Sequence, residues 1–381
     1  MLLEGYRVLD LTQGRPPGAT CTHMLADLGM EVIRVDLAEG EGAGFLHGGR
    51  DLAFDSANRN KRSIAINLKT DEGKKIFYKL VASADAVLEG ARPGSAKRLG
   101  VDYDTLKQIN KKLVYCSISA FGQDGPYALV GAHDTEAAAM RGAFGHTDGS
   151  VMTPSYFGVL VGDMGGGLHG AIGIVAGILA ASKRGEGCYI DIALADAVST
   201  FNLGKLQSVL TTGKSYVTSH MDRAFLKCKD GKFIAQANVE PHNWARFCEA
   251  VGLPGLLGLP KADPQTRERM IEELRAMMLT KTRDEWFDVI SKSGATVAAC
   301  KELEELPDDP QIKHRGMIWE LDHPTEGKVR QWGFPILVKG EEAGVRTYAP
   351  AVGADTLTIL GELGYSHEET EAFRAAGAVN R

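Results

Sequence analysis

A few acidic and imidazole-bearing residues of this chain have the types that proton-transfer chemistry needs. His133 is followed at once by Asp134, Asp163 stands shortly before a glycine run at 165–167, and Glu240 precedes a proline. An imidazole and a carboxyl group can each hold or release a proton near neutral pH once their surroundings shift the pKa. A pair of this kind suits the removal of a proton from one face of a carbon atom and its return on the other.

The sequence around Asp163 predicts the start of a helix. Aspartate is among the residues preferred at a helix N-cap, so Asp163 is expected to cap this helix. Backbone N–H groups at a helix start stabilise negative charge on a reacting oxygen. The glycines at 165–167 would let a ligand approach that backbone closely.

The first third of the chain alternates strands and helices. Residues 7–11 and 31–35 have the pattern of strands and flank a helix predicted over 20–28, which is a βαβ unit and implies a parallel sheet. The alternation continues as far as residue 118. The predicted fold class is therefore α/β, with a doubly wound parallel sheet.

A long apolar helix is predicted over 163–183. Its glycines recur at helical spacing along one face, at Gly166, Gly170, Gly173 and Gly177. Because each interior glycine weakens a helix, close packing against another backbone is the expected compensation. The longest apolar stretch in it, residues 170–182, is too short to span a bilayer.

The pattern of predicted strands and helices changes after residue 204. A hairpin is predicted from 224–228 and 233–235, and helices over 243–251, 266–279 and 282–291 follow it. Strand-like segments return at 328–333 and 334–338. We therefore predict a large α/β domain over 1–203 that is completed by 322–381, a linker over 204–221, and a small α+β domain over 222–321.

Composition narrows the class of protein. The chain has 381 residues, of which 44% are apolar and 24% charged, so it can bury a sizeable core. Its net charge of −6 argues against nucleic acid as a partner. Six cysteines without a CxxC pair argue against a disulfide framework or a thiolate zinc site. We expect a cytoplasmic protein with no metal site, no membrane partner and no nucleic-acid partner.

An ordered set of short motifs extends along most of the chain. They occupy residues 34–36, 58–63, 67–69, 89–94, 121–127, 132–134, 162–167 and 240–241. With these motifs the chain resembles the family III CoA-transferase superfamily, and in particular its alpha-methylacyl-CoA racemase branch. The resemblance implies a Rossmann-like large domain built from both chain ends and a smaller domain between them. It also implies an interlocked homodimer with active sites between domains of different subunits.

The resemblance to the racemases assigns roles to three residues. His133 and Asp163 would flank the α-carbon of a 2-methylacyl-CoA thioester and exchange its proton through an enolate. Glu240 would support the histidine. No cofactor is required in this scheme, because CoA is part of the acyl-CoA substrate. The resemblance also puts contacts to CoA near Arg34, Lys69, Arg92 and Arg98, and an arginine fork suits phosphate oxygens.

The resemblance leaves two other functions open. In the transferases, the aspartate that matches Asp163 attacks the acyl thioester and forms a mixed anhydride, and CoA passes between carboxylic acids. The chain could also be a noncatalytic protein that binds CoA thioesters or nucleotides. The presence of His133 and Glu240 beside Asp163 favours the racemase, and so does the absence of the glycine-rich loop that many formyl-CoA-type transferases carry in the small domain.

Overall fold

The computed structural model describes residues 1–38, 56–144, 158–214, 223–324, 326–341 and 344–380. The chain forms two compact units. The first consists of residues 1–145, 154–207 and 316–381, and the second consists of residues 146–153 and 208–315. The segment predicted as a linker over 204–221 begins within a helix, Leu203–Thr212, and its residues 215–221 lie outside the described residues.

The first unit contains a six-stranded sheet in which all neighbouring strands are parallel. Its strands are β1 (Arg7–Asp10), β2 (Glu31–Leu37), β3 (Lys61–Ile66), β4 (Ala86–Glu89), β5 (Val114–Ser119) and β6 (Cys188–Ala193). The spatial order is β3-β2-β1-β4-β5-β6. This is the order of the nucleotide-binding doubly wound fold, in which ligands bind beyond the carboxyl ends of the strands. The predicted α/β class is confirmed.

Helices of the first unit connect these strands and follow them. They are α1 (Pro16–Asp27), α2 (Asp71–Val81), α3 (Ser95–Leu99), α4 (Tyr103–Leu106), α5 (Asp134–Ala139), α6 (Val161–Arg184), α7 (Leu194–Phe201) and α8 (Leu203–Thr212), which extends into the second unit. The α1 helix starts four residues before its predicted start at residue 20. Two prolines open it, and proline is tolerated in a first turn because those N–H groups have no partner within the helix.

The parallel sheet is buried on both faces, because successive side chains of a strand point to opposite sides. Leu9 and Ile33 pack on one face with Phe77 of α2. Val8 packs on the other face with Ile174 of α6. This arrangement explains why β1, β4 and β5 are buried along almost their whole length, whereas the edge strand β6 alternates half-buried and exposed residues.

The α6 helix lies against both α1 and the sheet, and its glycines make this possible. A Cβ atom on Gly170 would lie 3.0 Å from Ile118 of β5 and 3.3 Å from the sulfur of Cys21 in α1. By length and apolar composition α6 could also cross a membrane, but half of its most apolar stretch is buried inside the fold. The helix spans Val161–Arg184, close to the predicted 163–183.

The chain beyond residue 316 returns to the first unit. It contributes a hairpin of β10 (Ile318–His323) and β11 (Gly327–Trp332), then α13 (Thr356–Glu362) and α14 (His367–Ala375). Ser366 caps α14 in a capping box with Glu369. The strand expected at 334–338 is absent, because β11 pairs with β10 instead and the following residues have no strand beside them.

The second unit contains a three-stranded antiparallel sheet and several helices. The strands are β7 (Arg223–Lys227), β8 (Phe233–Ala237) and β9 (Val297–Ala299) in the order β7-β8-β9. The helices are α9 (Pro241–Ala250), α10 (Pro264–Met278), α11 (Arg283–Lys292) and α12 (Pro310–His314), with 3-10 turns at Pro254–Lys261 and Leu303–Asp308. Trp286 and Phe247 anchor a separate apolar core in this unit.

Candidate active site at the start of helix α6

Asp163 lies in the first turn of α6 and only 8% of its surface is exposed. The turn is held from outside the helix. The Asp134 carboxylate accepts hydrogen bonds from the backbone N–H groups of Gly162, at 2.6 Å, and Asp163, at 3.0 Å. The expectation that Asp163 itself caps α6 is therefore wrong. Asp134, the first residue of α5, satisfies the N–H groups that a helix start leaves unpaired.

The surroundings of Asp163 raise the pKa of its carboxyl group to about 6. Burial is the main cause, because it disfavours the charged form, and the negative charge of Asp134 adds to it. His133 acts in the opposite direction. At neutral pH Asp163 is thus mostly ionised, yet poorly solvated, which is a favourable state for a carboxylate that must react with a substrate.

His133 directly precedes α5 and its side chain is exposed. Its backbone N–H donates to the Glu136 carboxylate at 2.9 Å, which fixes the start of α5. The charge of His133 favours the ionised form of Asp163 and so acts to lower the pKa of that carboxyl group. That His133 and Asp163 flank the α-carbon of one substrate stays a prediction.

The Asp134 carboxylate is a buried group beside Asp163 whose place had no prediction from the sequence. It is 3% exposed, and its second oxygen has no hydrogen-bond partner in the described part of the chain. In the sequence, Asp134 could only be noted as the neighbour of His133. A contact to a helix start 28 residues later, as the hydrogen bonds report it, has no local signal in the sequence.

The glycines after Asp163 are packed against protein. A Cβ atom on Gly165 would lie 2.9 Å from the Phe201 ring, and one on Gly167 would lie 2.6 Å from the Pro17 carbonyl oxygen. Contrary to expectation, they do not leave this backbone open to a ligand. They let α6 sit closely against α7 and α1, which positions Asp163.

Glu240 belongs to the second unit. It precedes α9, and its carboxylate accepts a hydrogen bond from the Asn243 side-chain amide at 3.0 Å. A residue at the start of a helix often makes such a local contact. The support of His133 by Glu240 stays a prediction.

The four cations expected at CoA differ in their surroundings. Arg34 is fully buried, and its Nε donates to both oxygens of Asp36 at 2.8 and 2.9 Å. Lys69, Arg92 and Arg98 are exposed near the carboxyl ends of β3 and β4. Arg34 therefore has a structural partner, whereas the other three have the accessibility that a phosphate contact needs. Within the described ranges, no three His, Cys, Asp or Glu side chains converge to hold a metal ion.

The fold is that of a known family. The model of CoA-transferase family III matches residues 3–356, so this chain belongs to that family. The match confirms the resemblance at family level and does not distinguish its racemase branch.

Named relatives of similar length align with this chain over nearly its whole length. A formyl-CoA:oxalate CoA-transferase of Escherichia coli O157:H7 (strain EC4115 / EHEC) is 29% identical over 415 residues, covering 99% of each chain. One of Rhodopseudomonas palustris (strain HaA2) is 30% identical over 422 residues, covering 99% of this chain and 97% of the relative. The crystal structure of a CAIB/BAIF family protein from Brucella suis matches with a TM-score of 0.79 and 28% identity, covering 94% of this chain and 98% of that one.

Proposed function

We propose that this enzyme is a CoA-transferase that moves CoA between two carboxylic acids through the Asp163 side chain. The observation that carries the proposal is a buried, mostly ionised carboxylate in the first turn of α6. Two relatives that align with nearly the whole chain are formyl-CoA:oxalate CoA-transferases, which supports transfer over racemisation. Short carboxylic acids such as formate and oxalate are therefore the first substrates to test.

The proposed reaction balances without water or an electron carrier. The Asp163 carboxylate attacks the thioester carbonyl of the donor acyl-CoA; a C–O bond forms, the C–S bond breaks, and CoA leaves as a thiolate. The thiolate attacks the Asp163 side-chain carbonyl of the resulting anhydride, which releases the donor acid and leaves CoA bound to Asp163 as a thioester. The acceptor carboxylate then enters by the reverse of these two steps, and Asp163 regains its carboxylate.

The surroundings of Asp163 suit a carboxylate nucleophile. A poorly solvated carboxylate loses less hydration when it attacks, and the two hydrogen bonds from α6 to Asp134 fix the turn that carries it. Asp134 acts through Asp163 and is a positioning residue in this scheme. The exposed Lys69, Arg92 and Arg98 are proposed to contact the phosphates of CoA.

Racemisation of a 2-methylacyl-CoA is the second candidate function. It is favoured by the closeness of His133 to Asp163, because two proton-carrying groups are what a two-base mechanism needs. Glu240 would support His133 in that reaction. Transfer does not require a histidine at this position.

Exchange with solvent deuterium separates these two functions. The enzyme is incubated in D2O with 2-methylpropanoyl-CoA alone, and separately with formyl-CoA with and without oxalate. A transferase moves CoA only when the acceptor acid is present and leaves the α-proton in place. Deuterium at the α-carbon without an acceptor, abolished by His133→Ala, would establish the racemase instead. Binding of CoA without either reaction would overturn both proposals.

A further inference from the structure

A strained loop lies between β1 and α1, at the ligand end of the sheet. Gln13 has a φ of 57° and Gly14 a φ of 74°, so the chain turns through the left-handed region twice in succession. The buried Asp10 holds the loop, because one of its carboxylate oxygens accepts from both the N–H and the hydroxyl of Thr12, at 2.8 and 2.6 Å. Arg15 directly follows this loop and precedes α1, so the loop fixes the position of the Arg15 backbone.

The first turns of α1 and α6 lie side by side. Thr20 donates to the Met164 sulfur at 3.5 Å, and the Pro17 carbonyl oxygen lies 2.6 Å from the position of a Cβ on Gly167. Both helices connect strands of one parallel sheet, so both run opposite to the strands and begin at the carboxyl edge of the sheet. A Cβ atom on Gly170 would lie 3.3 Å from the Cys21 sulfur, so from the Pro17–Gly167 contact to this one the residue numbers of both helices increase together.

This packing brings Arg15 to the same end of the fold as Asp163. Asp163 precedes Gly167 by four residues, so both lie on the helix face that meets α1, about 6 Å apart along the axis. Arg15 precedes Pro17 by two residues, in the corresponding direction. It is exposed, and its guanidinium makes no hydrogen bond or ion pair with any residue in the described part of the chain.

We propose that Arg15 binds the second carboxylate of a dicarboxylic acceptor acid, an inference that rests on the proposed transfer through Asp163. The reacting carboxylate must keep a free oxygen to attack the aspartyl thioester, so a cation paired with that group would hinder the reaction. A second carboxylate has no such constraint. The planar fork of an arginine holds it through two parallel hydrogen bonds and thereby orients the reacting end.

The proposal separates Arg15 from the cations assigned to CoA. A CoA contact serves the donor and the acceptor half-reactions alike, because CoA is present in both. An arginine for the second carboxylate of the acceptor affects only acids that have one. Arg15 is thus a residue that determines acceptor specificity.

The test compares steady-state transfer from formyl-CoA to oxalate or succinate with transfer to acetate or propionate. For Arg15→Gln we expect the KM of the dicarboxylates to rise about tenfold or more, with the KM of the monocarboxylates and of formyl-CoA changed less than about twofold. Arg15→Lys should recover part of the loss. Arg184→Gln, which removes an exposed arginine at the opposite end of α6, is the matched control and should leave every constant unchanged.

Each outcome has a defined meaning. An unchanged KM for dicarboxylates in Arg15→Gln, or an equal rise for both classes of acid, overturns the role of Arg15 and makes it a solvated surface residue or a CoA contact. The proposed function is tested separately by Asp163→Asn. If that variant retains transfer, the reaction does not pass through Asp163, whatever Arg15 does. Circular dichroism of each variant shows that the fold is intact.

Discussion

At the scale of single residues, the central feature is a pair of neighbouring carboxyl groups with different tasks. Asp134 caps α6 with one oxygen, and its charge helps to raise the pKa of Asp163 to about 6. His133 and Asp163 were singled out through the family motifs at 132–134 and 162–167, and their catalytic roles stay predictions. The contact of Asp134 with the start of α6 could not be predicted, because its burial and this contact to a distant helix start arise only in the fold.

The raised pKa of Asp163 predicts the pH dependence of the reaction. The ionised form reacts, so kcat/KM should fall as the pH decreases through about 6, with a slope that approaches one proton. Asp134→Asn removes the neighbouring charge and keeps a side-chain oxygen for the helix N–H groups. It should lower the pKa of Asp163 and move this acid limb to lower pH.

The control for this prediction is Asp104→Asn, the same chemical change at an exposed position of α4. It should leave the acid limb in place. Profiles of kcat/KM between pH 4.5 and 8 measure the acid limb of the enzyme and of both variants. An acid limb that is identical in the enzyme and in Asp134→Asn would show that Asp134 does not set the pKa of the reacting group.

At the scale of elements, the position of Asp163 depends on how closely α6 approaches α1. Glycine spacing in the sequence predicted such packing for α6, and the contacts of Gly170 with Cys21 and Ile118 agree with it. The predicted start of α1, residue 20, lies four residues after the observed start, because prolines such as Pro16 and Pro17 are also typical of loops. The absent strand at 334–338 shows a different limit, since a strand forms only where another strand is available to pair with it.

Gly167→Ala tests the contact between α1 and α6. The added methyl group would meet the Pro17 carbonyl oxygen and the Thr20 Cβ atom, both at 2.6 Å, and backbone cannot move aside cheaply. We expect a loss of about 1–3 kcal/mol in the free energy of unfolding, measured by urea denaturation, together with lower transfer activity.

The matched control is Gly173→Ala in the same helix. Its methyl group would meet only side-chain atoms of Ile190, at 3.3 Å from Cγ2 and 3.6 Å from Cδ1, and no backbone. This variant should lose little stability, because alanine also favours the helix. An equal loss of unfolding free energy in the two variants would mean that the close contact between α1 and α6 is not the reason why residue 167 must be glycine.

At the scale of the whole molecule, the sequence predicted the α/β class but not the strand order. Each βαβ unit has a local pattern, whereas the placement of β4 beside β1 pairs residues 78 positions apart, such as Leu9 with Val87. The family match rests on the full length of the chain and places this molecule among the CoA-transferases of family III. The interlocked homodimer stays a prediction.

An exposed apolar stripe on α6 supports the prediction of a dimer. Ile172 is 67% exposed and Leu179 is 55% exposed, both on the same helix. A second copy of the chain that covers this stripe would remove it from water. We expect light scattering to give the mass of two chains, and Ile172→Asp to shift it toward one. Lys183→Asp, a charge change near the end of the same helix, should not. A single-chain mass for the unmodified protein would contradict the prediction.

Covalent trapping tests the central claim most directly. The enzyme is mixed with an acyl-CoA and hydroxylamine is added, which converts an aspartyl anhydride or thioester to a hydroxamate; the peptide that contains residue 163 is then analysed by mass spectrometry. We predict a hydroxamate on the Asp163 side chain that requires the acyl-CoA and is absent in Asp163→Asn. An unmodified Asp163 in enzyme that is turning over would contradict transfer through this residue.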